Sequence, residues 1–431
     1  MSYSLRDLRS LATQPYGFWL DSALASPGLG ETSLAGAEPF AVLRSWRGEV
    51  ELWTRGPTYR FSNYPFAALR ELLAENAARR GAAVGYLAYD LKRHVERLPD
   101  TVLADLALPE CHLAFYDDVR RFDAAPLTVD TGDAPPRSPL SDDQPPPSSN
   151  FTRDAYEAAV SCALDYIRAG DIYQVNLSQR FRLPLEGDPF DAYLRLRAQN
   201  PAPFAAFLRT ADADILCASP ERFLRYDPAS RHIETRPIKG TRPRGRSRAE
   251  DEALARELLA SEKDRAENVM IVDLERNDLG RVAEIGSVRV TQLAALETFP
   301  SVFHLTSQVE ARLRPDRDVV DLLLATFPGG SITGAPKIRA MQIIDELEPT
   351  ARGIYTGAIG YFGFDGSLDL NIAIRTVVAK EGVAYYQAGG GIVADSRPAL
   401  EFEETLHKAS ALRRALTTSG RRSDAMAISE R

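Results

Sequence analysis

Two stretches of the sequence carry carboxylates in pairs three residues apart. ASEKDRAENVMIVDL holds Asp264 and Glu267, and RPALEFEETLHKAS holds Glu401 and Glu404, with Lys408 one turn further along. On a helix, residues three or four apart share a face. Two helices that each offer such a pair, with no Cys or His set nearby, suit a hard divalent cation such as Mg²⁺. Solvated acidic faces are the ordinary alternative. A lysine, Lys239, ends an extended run in ETRPIKGTRPRG, just before Gly240 and close to Arg236, Arg242 and Arg244. A lysine is a nucleophile only when deprotonated, and a free one titrates at about 10.4. Burial and neighbouring cations lower that value and would activate it; a basic surface turn is the plain reading. Glu221 follows a proline in ASPERF, where burial would keep it protonated as a general acid, or where it would simply be a turn carboxylate. Two glycine-rich turns, FPGGSITGAPK and QAGGGIVADS, let backbone N–H groups approach a small anion. Arg375, in NIAIRT, is placed to pair with a carboxylate or to make a surface salt bridge.

These residues need elements to hold them. Asp154–Ala169 has a helical apolar stripe of Tyr156, Val160, Ala163, Leu164 and Ile167, with Thr152 or Arg153 ahead of it and Gly170 to stop it. Helices are also expected over Ala249–Asp273, Val319–Ala325, Lys337–Glu346 and Pro398–Leu416. Ile172–Phe181 alternates as a strand does. Phe204–Leu208, Ile215–Ala218, Phe223–Tyr226, Val288–Leu293, Gly357–Phe364, Leu368–Val378 and Val383–Ala388 read as strands too. Strands follow one another across short turns, without strict alternation with helices. That pattern argues for α+β, with large, mostly antiparallel sheets, and against a doubly wound sheet. No strand is followed by G-x-G-x-x-G, and there is no phosphate-binding G-x-x-x-x-G-K-[ST], so nucleotide binding is not expected.

Composition narrows the rest. The chain has 431 residues, 44% hydrophobic and 26% charged, with 52 Lys+Arg against 60 Asp+Glu and a net charge of −8. This is ordinary globular composition. A mildly acidic chain has no general attraction to phosphate backbones, so no nucleic-acid partner is expected. Cys111, Cys162 and Cys217 form no C-x-x-C pair and no disulfide framework, which fits a reducing, cytoplasmic setting. No signal-peptide core and no apolar run long enough to span a membrane is evident. Residues 123–150 are rich in Pro, Ser and Asp and read as a linker between an N-terminal part, 1–122, and a larger domain, 151–416. Residues 417–431 read as a flexible tail.

Taken together, YQVNLSQRF, SPERF, TRPIKGTRPRG, DRAENVMIVDLERNDLGRV, FHLTSQV, FPGGSITGAPKIRAMQIIDELEP, RGIYTGAIGY, IAIRT and GGGIVADSRPALEFEETLHKA resemble the chorismate-utilising enzymes. That family includes the large subunits of anthranilate and aminodeoxychorismate synthases and the isochorismate and salicylate synthases. The resemblance covers about residues 151–415, in family order. It implies an anthranilate-synthase-like sandwich of large sheets with surrounding helices. It also implies Mg²⁺ at Glu267 and Glu401, with Asp264 and Glu404 beside them, and Glu221 as the acid that protonates the departing C4 hydroxyl of chorismate. Gly240, Thr241, His304, Ser331, Tyr355, Arg375, Gly389, Gly391 and Lys408 match positions that bind the carboxylates or line the pocket. His304 is alternatively a satisfied core histidine.

Two positions choose among branches. Isochorismate and salicylate synthases carry a lysine where this chain has Gln174, an amide that is no base. Anthranilate synthases read PIAGT, whereas this chain reads PIKGT, the form of aminodeoxychorismate synthases. There the lysine is thought to attack C2 before ammonia enters at C4, a role that falls to Lys239. None of the three cysteines sits in the G-x-C-x-G setting of a glutaminase, so a separate glutamine amidotransferase subunit is expected to supply ammonia. No segment resembles a pyridoxal-phosphate lyase. GFWLDSA, Gly17–Ala23, resembles part of the family's amino-acid pocket and raises the expectation of a tryptophan site.

Overall fold

The computed structural model describes residues 4–24, 28–99, 101–123, 147–299 and 302–417. Most of the expected linker and nearly all of the expected tail lie outside these. Two large sheets dominate, and every pairing among their strands is antiparallel. The α+β expectation is therefore met. The ten-stranded sheet runs from Gly334–Ala335 through Gln174–Pro184, Val383–Ile392, Thr376–Lys380, Asp214–Ser219 and Phe204–Arg209 to Phe18–Asp21, Thr32–Gly36 and Arg120–Asp123. The twelve-stranded sheet holds Ile238–Pro243, Val302–Arg312, His232–Arg236, Arg222–Asp227 and Leu368–Ile372. It continues through Ala358–Gly363 to strands contributed by residues 41–116. Both sheets thus combine strands from 1–122 with strands from 151–416.

Alternation of side chains makes this sandwich. Phe18, Val42, Val84, Tyr86, Ala206, Ile215, Cys217, Ile359 and Val378 fill one apolar cluster, drawn from strands of both sheets. Against the outer face of the ten-stranded sheet, Trp19, Phe190, Tyr193, Leu216, Tyr386 and Leu412 form a second cluster beneath the helices Pro189–Gln199 and Pro398–Leu416. The largest cluster packs Val175, Phe223, Val272, Val309, Leu323, Ile343 and Leu370 beneath further helices. Among the described residues, no helix is long and apolar enough to cross a membrane.

Two expected elements are divided in the structure. The long helix over Ala249–Asp273 is two helices, Arg248–Ala260 and Glu262–Gly280. Ser261 separates them, and its side chain accepts from the Asp264 amide at 3.2 Å as the cap of the second. The strand over Leu368–Val378 is also two: Leu368–Ile372 lies in the twelve-stranded sheet and Thr376–Lys380 in the other. Between them Arg375 adopts φ +50°. The chain turns there from one layer to the other, which apolar alternation does not reveal.

Candidate active site

Lys239 lies on the strand Ile238–Pro243, whose pairing with Val302–Arg312 is irregular between Lys239 and Thr241. Gly240 supplies the extra residue with φ +78°, a conformation that glycine adopts without strain. A Cβ at that position would stand 3.0 Å from both Asp264 Cβ and Leu258 Cδ1, so the glycine also lets the helix Glu262–Gly280 approach closely. The Lys239 ammonium turns inward and donates to the Ser331 carbonyl at 3.0 Å. Burial pushes its pKa down; Glu267, Glu221 and Glu404 oppose this, and Lys408 adds to it.

Glu221 is buried in the turn before the strand Arg222–Asp227. Burial raises its carboxyl to about 6, against the pull of Ser331, Lys239, the Ile238 amide and Arg375. A second buried carboxyl, Glu275, lies close enough to raise its own pKa by repulsion from Glu221, in addition to the larger effect of burial. Glu275 accepts from the Thr235 hydroxyl at 3.1 Å. Arg375 carries the opposite charge: burial lowers its pKa and Glu221 raises it. Among the described residues, its guanidinium has no hydrogen-bonded or ion-paired partner. It is a half-buried cation available to an anion.

The remaining pocket positions fall into two groups. Thr241 Oγ1 lies 2.9 Å from His304 Nδ1, and the His304 ring packs edge-on against Phe299. Burial, reinforced by Arg375, lowers the pKa of His304 to about 3, so the ring is neutral. Gly389 and Gly391 lie on Val383–Ile392 opposite Ser178 and Asn176. A Cβ on Gly391 would collide with the Gln174 amide nitrogen, and one on Gly389 with Ser178. Among the described residues, the buried pocket atoms without a hydrogen-bond partner include Gln174 Oε1, Asn176 Oδ1, His304 Nε2 and Thr306 Oγ1. Such unpaired buried atoms are costly unless a ligand uses them. Tyr355 is also buried, but its near neighbours are Arg352 and Glu348.

The carboxylates come from two helices, as the spacing suggested. Gly390 leaves room between them and the sheet: a Cβ there would lie 3.2 Å from Glu401 Oε2 and 3.4 Å from Glu404 Oε1. Burial raises Glu267, with Glu404 and Asp264 adding repulsion and Lys239 and Lys263 opposing. Burial raises Glu401 as well, although Ser396 donates to it at 2.6 Å. For Glu404 burial is outweighed by Lys408, with Lys263 and Lys239, and its pKa falls. Asp264 is differently placed, paired with Arg242 at 3.1 Å. Among the described residues no three Asp, Glu, His or Cys side chains are already closed around one point. The chemistry of the donors still fits a hard divalent ion: Glu267, Glu401 and Glu404 would all offer oxygen, and Gly390 leaves space beside two of them.

One feature escaped the sequence reading. Arg352 and Glu348 form a fully buried pair at 2.7 Å. Glu348 accepts from the amide and hydroxyl of Ser178 at 2.8 and 2.9 Å. Arg352 donates to the carbonyls of Ile332 and Asn176 at 3.0 and 2.8 Å. The pair therefore pins the Ser331 turn to the strand carrying Gln174. Its only sequence signal is a Glu and an Arg four residues apart within ELEPTARG.

A separate cavity of about 180 Å³ is lined by Leu20, Asp21, Ser22, Pro203, Phe204, Arg222, Tyr361 and Asp369 among others. It includes three residues of the GFWLDSA segment.

The family model described as chorismate binding enzyme matches residues 18–414. Aminodeoxychorismate synthase component 1 of Bacillus subtilis (strain 168) is 40% identical over 425 residues, covering 90% of each chain. Anthranilate synthase component 1 of Acetivibrio thermocellus is 38% identical over 448 residues, covering 94% of this chain and 90% of that one. Among solved structures, anthranilate synthase component I from Streptococcus pneumoniae TIGR4 superposes with a TM-score of 0.75 at 34% identity, covering 89% of this chain and 92% of its own.

Proposed function

The chain belongs to the family of chorismate binding enzymes, and from that premise we propose that it is the component 1 type of aminodeoxychorismate synthase, converting chorismate and ammonia to 4-amino-4-deoxychorismate. Relatives of both the aminodeoxychorismate and the anthranilate type are about equally similar in sequence. The observation that carries the choice is Lys239, an amine directed into the pocket beside Glu221 and the carboxylate cluster.

Burial favours the neutral amine at Lys239, which attacks C2 of the ring. Both conjugated double bonds of the ring shift, and the C4 hydroxyl leaves as water with the proton of Glu221. Ammonia then adds at C4, both double bonds shift back, and the C2–N bond breaks, which returns Lys239 as a neutral amine. The proton shed by the added nitrogen restores Glu221. Arg375 supplies a half-buried guanidinium for a substrate carboxylate. Glu267, Glu401 and Glu404 would hold Mg²⁺, which when bound supplies a charge that anchors the ring carboxylate. Asp264 acts only indirectly, since Arg242 occupies it.

Like its component 1 relatives, the chain works with a second component, and we assign to that component the glutamine amidotransferase role. Burial pushes the thiols of Cys111, Cys162 and Cys217 up, so none is primed as a nucleophile. The same free thiols suit a cytoplasmic enzyme serving 4-aminobenzoate and folate synthesis. Tryptophan is assigned to the cavity at Leu20–Ser22, whose walls carry both signs of charge, as a zwitterion requires. Equilibrium dialysis that retains no tryptophan would remove that assignment.

The test uses the purified chain with chorismate, Mg²⁺ and an ammonium salt, and separates the products by chromatography. 4-Amino-4-deoxychorismate is expected. Pyruvate with fluorescent ortho-aminobenzoate would transfer the chain to the anthranilate branch, and no turnover, with stimulation of a partner glutaminase, would make it a docking subunit.

A further inference from the structure

Lys263 is the second residue of the helix Glu262–Gly280. A helix N-terminus carries positive partial charge and disfavours a cation. What Lys263 faces explains its presence there. Its ammonium lies 3.9 Å from Glu267 Oε1 on the same helix. Its charge also favours the ionised forms of Glu401 and Glu404 on the helix Pro398–Leu416. One ammonium therefore offsets the mutual repulsion of three carboxylates drawn from two helices.

Two other lysines act on the same cluster, and both are tied down. Lys239 donates to the Ser331 carbonyl at 3.0 Å, and Lys408 donates to the Gly389 carbonyl at 2.8 Å and pairs with Glu404 at 2.7 Å. Lys263 differs: among the described residues its ammonium makes no hydrogen bond, and its side chain is 53% exposed. It can therefore swing into water without leaving a buried donor unpaired.

We infer that Lys263 is a displaceable counter-ion, which balances Glu267, Glu401 and Glu404 in the metal-free protein and yields to an arriving divalent cation. The inference rests on the reading that these three carboxylates hold the metal. It makes Lys263 a positioning residue whose charge competes with the metal for the same oxygens. Its removal should thus strengthen metal binding, whereas removal of a residue that supports the metal would weaken it.

The experiment titrates Mn²⁺ into the full chain and reads free ion by electron paramagnetic resonance, with Mg²⁺ as competitor. Lys263→Gln and Lys263→Ala should each bind Mn²⁺ roughly three- to tenfold more tightly at low salt, the size expected for one nearby, solvent-screened charge. Lys263→Arg should stay close to the parent. Arg265→Gln, which removes an exposed charge two residues along, is the control for bulk charge. Unchanged or weaker binding in Lys263→Gln would overturn the inference while leaving the metal site standing. An equal gain in Arg265→Gln would also overturn it. If the parent chain and all variants bound no Mn²⁺, the metal reading would fail and the inference with it. Thermal melting of each variant confirms that it is folded.

Discussion

Lys239 and Glu221 depend on one physical cause acting in opposite directions. Burial disfavours charge, so it lowers the lysine and raises the glutamate to about 6. Both shifts run toward a neutral amine and a protonated carboxyl in one pocket. Lys239→Ala should reduce C4 amination by at least about 100-fold while leaving the melting temperature nearly unchanged, because a pocket-facing truncation opens no core cavity. Turnover at the parental rate would exclude a covalent role. Any residual product should be ortho, because ammonia would then attack C2 directly. Glu221 gives a pH signature. Above its folded pKa of about 6 it loses the proton that the leaving hydroxyl needs, so kcat/KM should fall as pH rises through that value. Glu221→Gln should be slow at every pH and should lack that limb. A variant whose profile keeps the same descent would show that another group provides the acid.

Elements decide whether these residues meet. The Glu348–Arg352 pair ties its own segment to two others, the Ile332 carbonyl in one and the Asn176 carbonyl and Ser178 amide of the strand Gln174–Pro184 in the other. Arg352→Met leaves a buried carboxylate without its partner, which costs about 3–5 kcal/mol. Chemical denaturation should show that loss, and Glu348→Gln placed on top of it should recover part of the stability. Additive losses would contradict a direct pairing. This contact was invisible in the sequence because a Glu and an Arg four apart are commonplace on exposed helices. The helix Arg153–Arg168, by contrast, was legible to within a residue, from an apolar stripe bounded by Thr152 and Gly170. The division at Ser261 carried a signal, since Ser-Glu-Lys-Asp is a capping pattern, but the apolar periodicity runs through it. The carboxylate spacing was also legible, and the diversion of Asp264 to Arg242 was not, because Arg242 is 22 residues away in sequence.

At the scale of the whole molecule, the two sheets do not separate along the chain. Phe18–Asp21 pairs with Phe204–Arg209, and Ala82–Leu87 pairs with Ala358–Gly363. A fragment holding only residues 151–417 would bare two long sheet edges and the apolar faces beneath them. Such a fragment is expected to be insoluble or to lack cooperative melting, and to recover both when residues 1–122 are supplied in trans. A soluble fragment with a sharp transition of its own would refute this. The mixed parentage of the sheets could not be read from composition, because strand pairing is long-range and the Pro- and Ser-rich stretch invites a division at that point.

The corner at Arg375 ties grip to architecture. The guanidinium that waits for an anion stands where the backbone steps between layers, at φ +50°. Slippage of one layer over the other would therefore drag the anchor with it. Loosening anywhere along that seam would be felt first as poorer hold on the reactant, well before the molecule came apart.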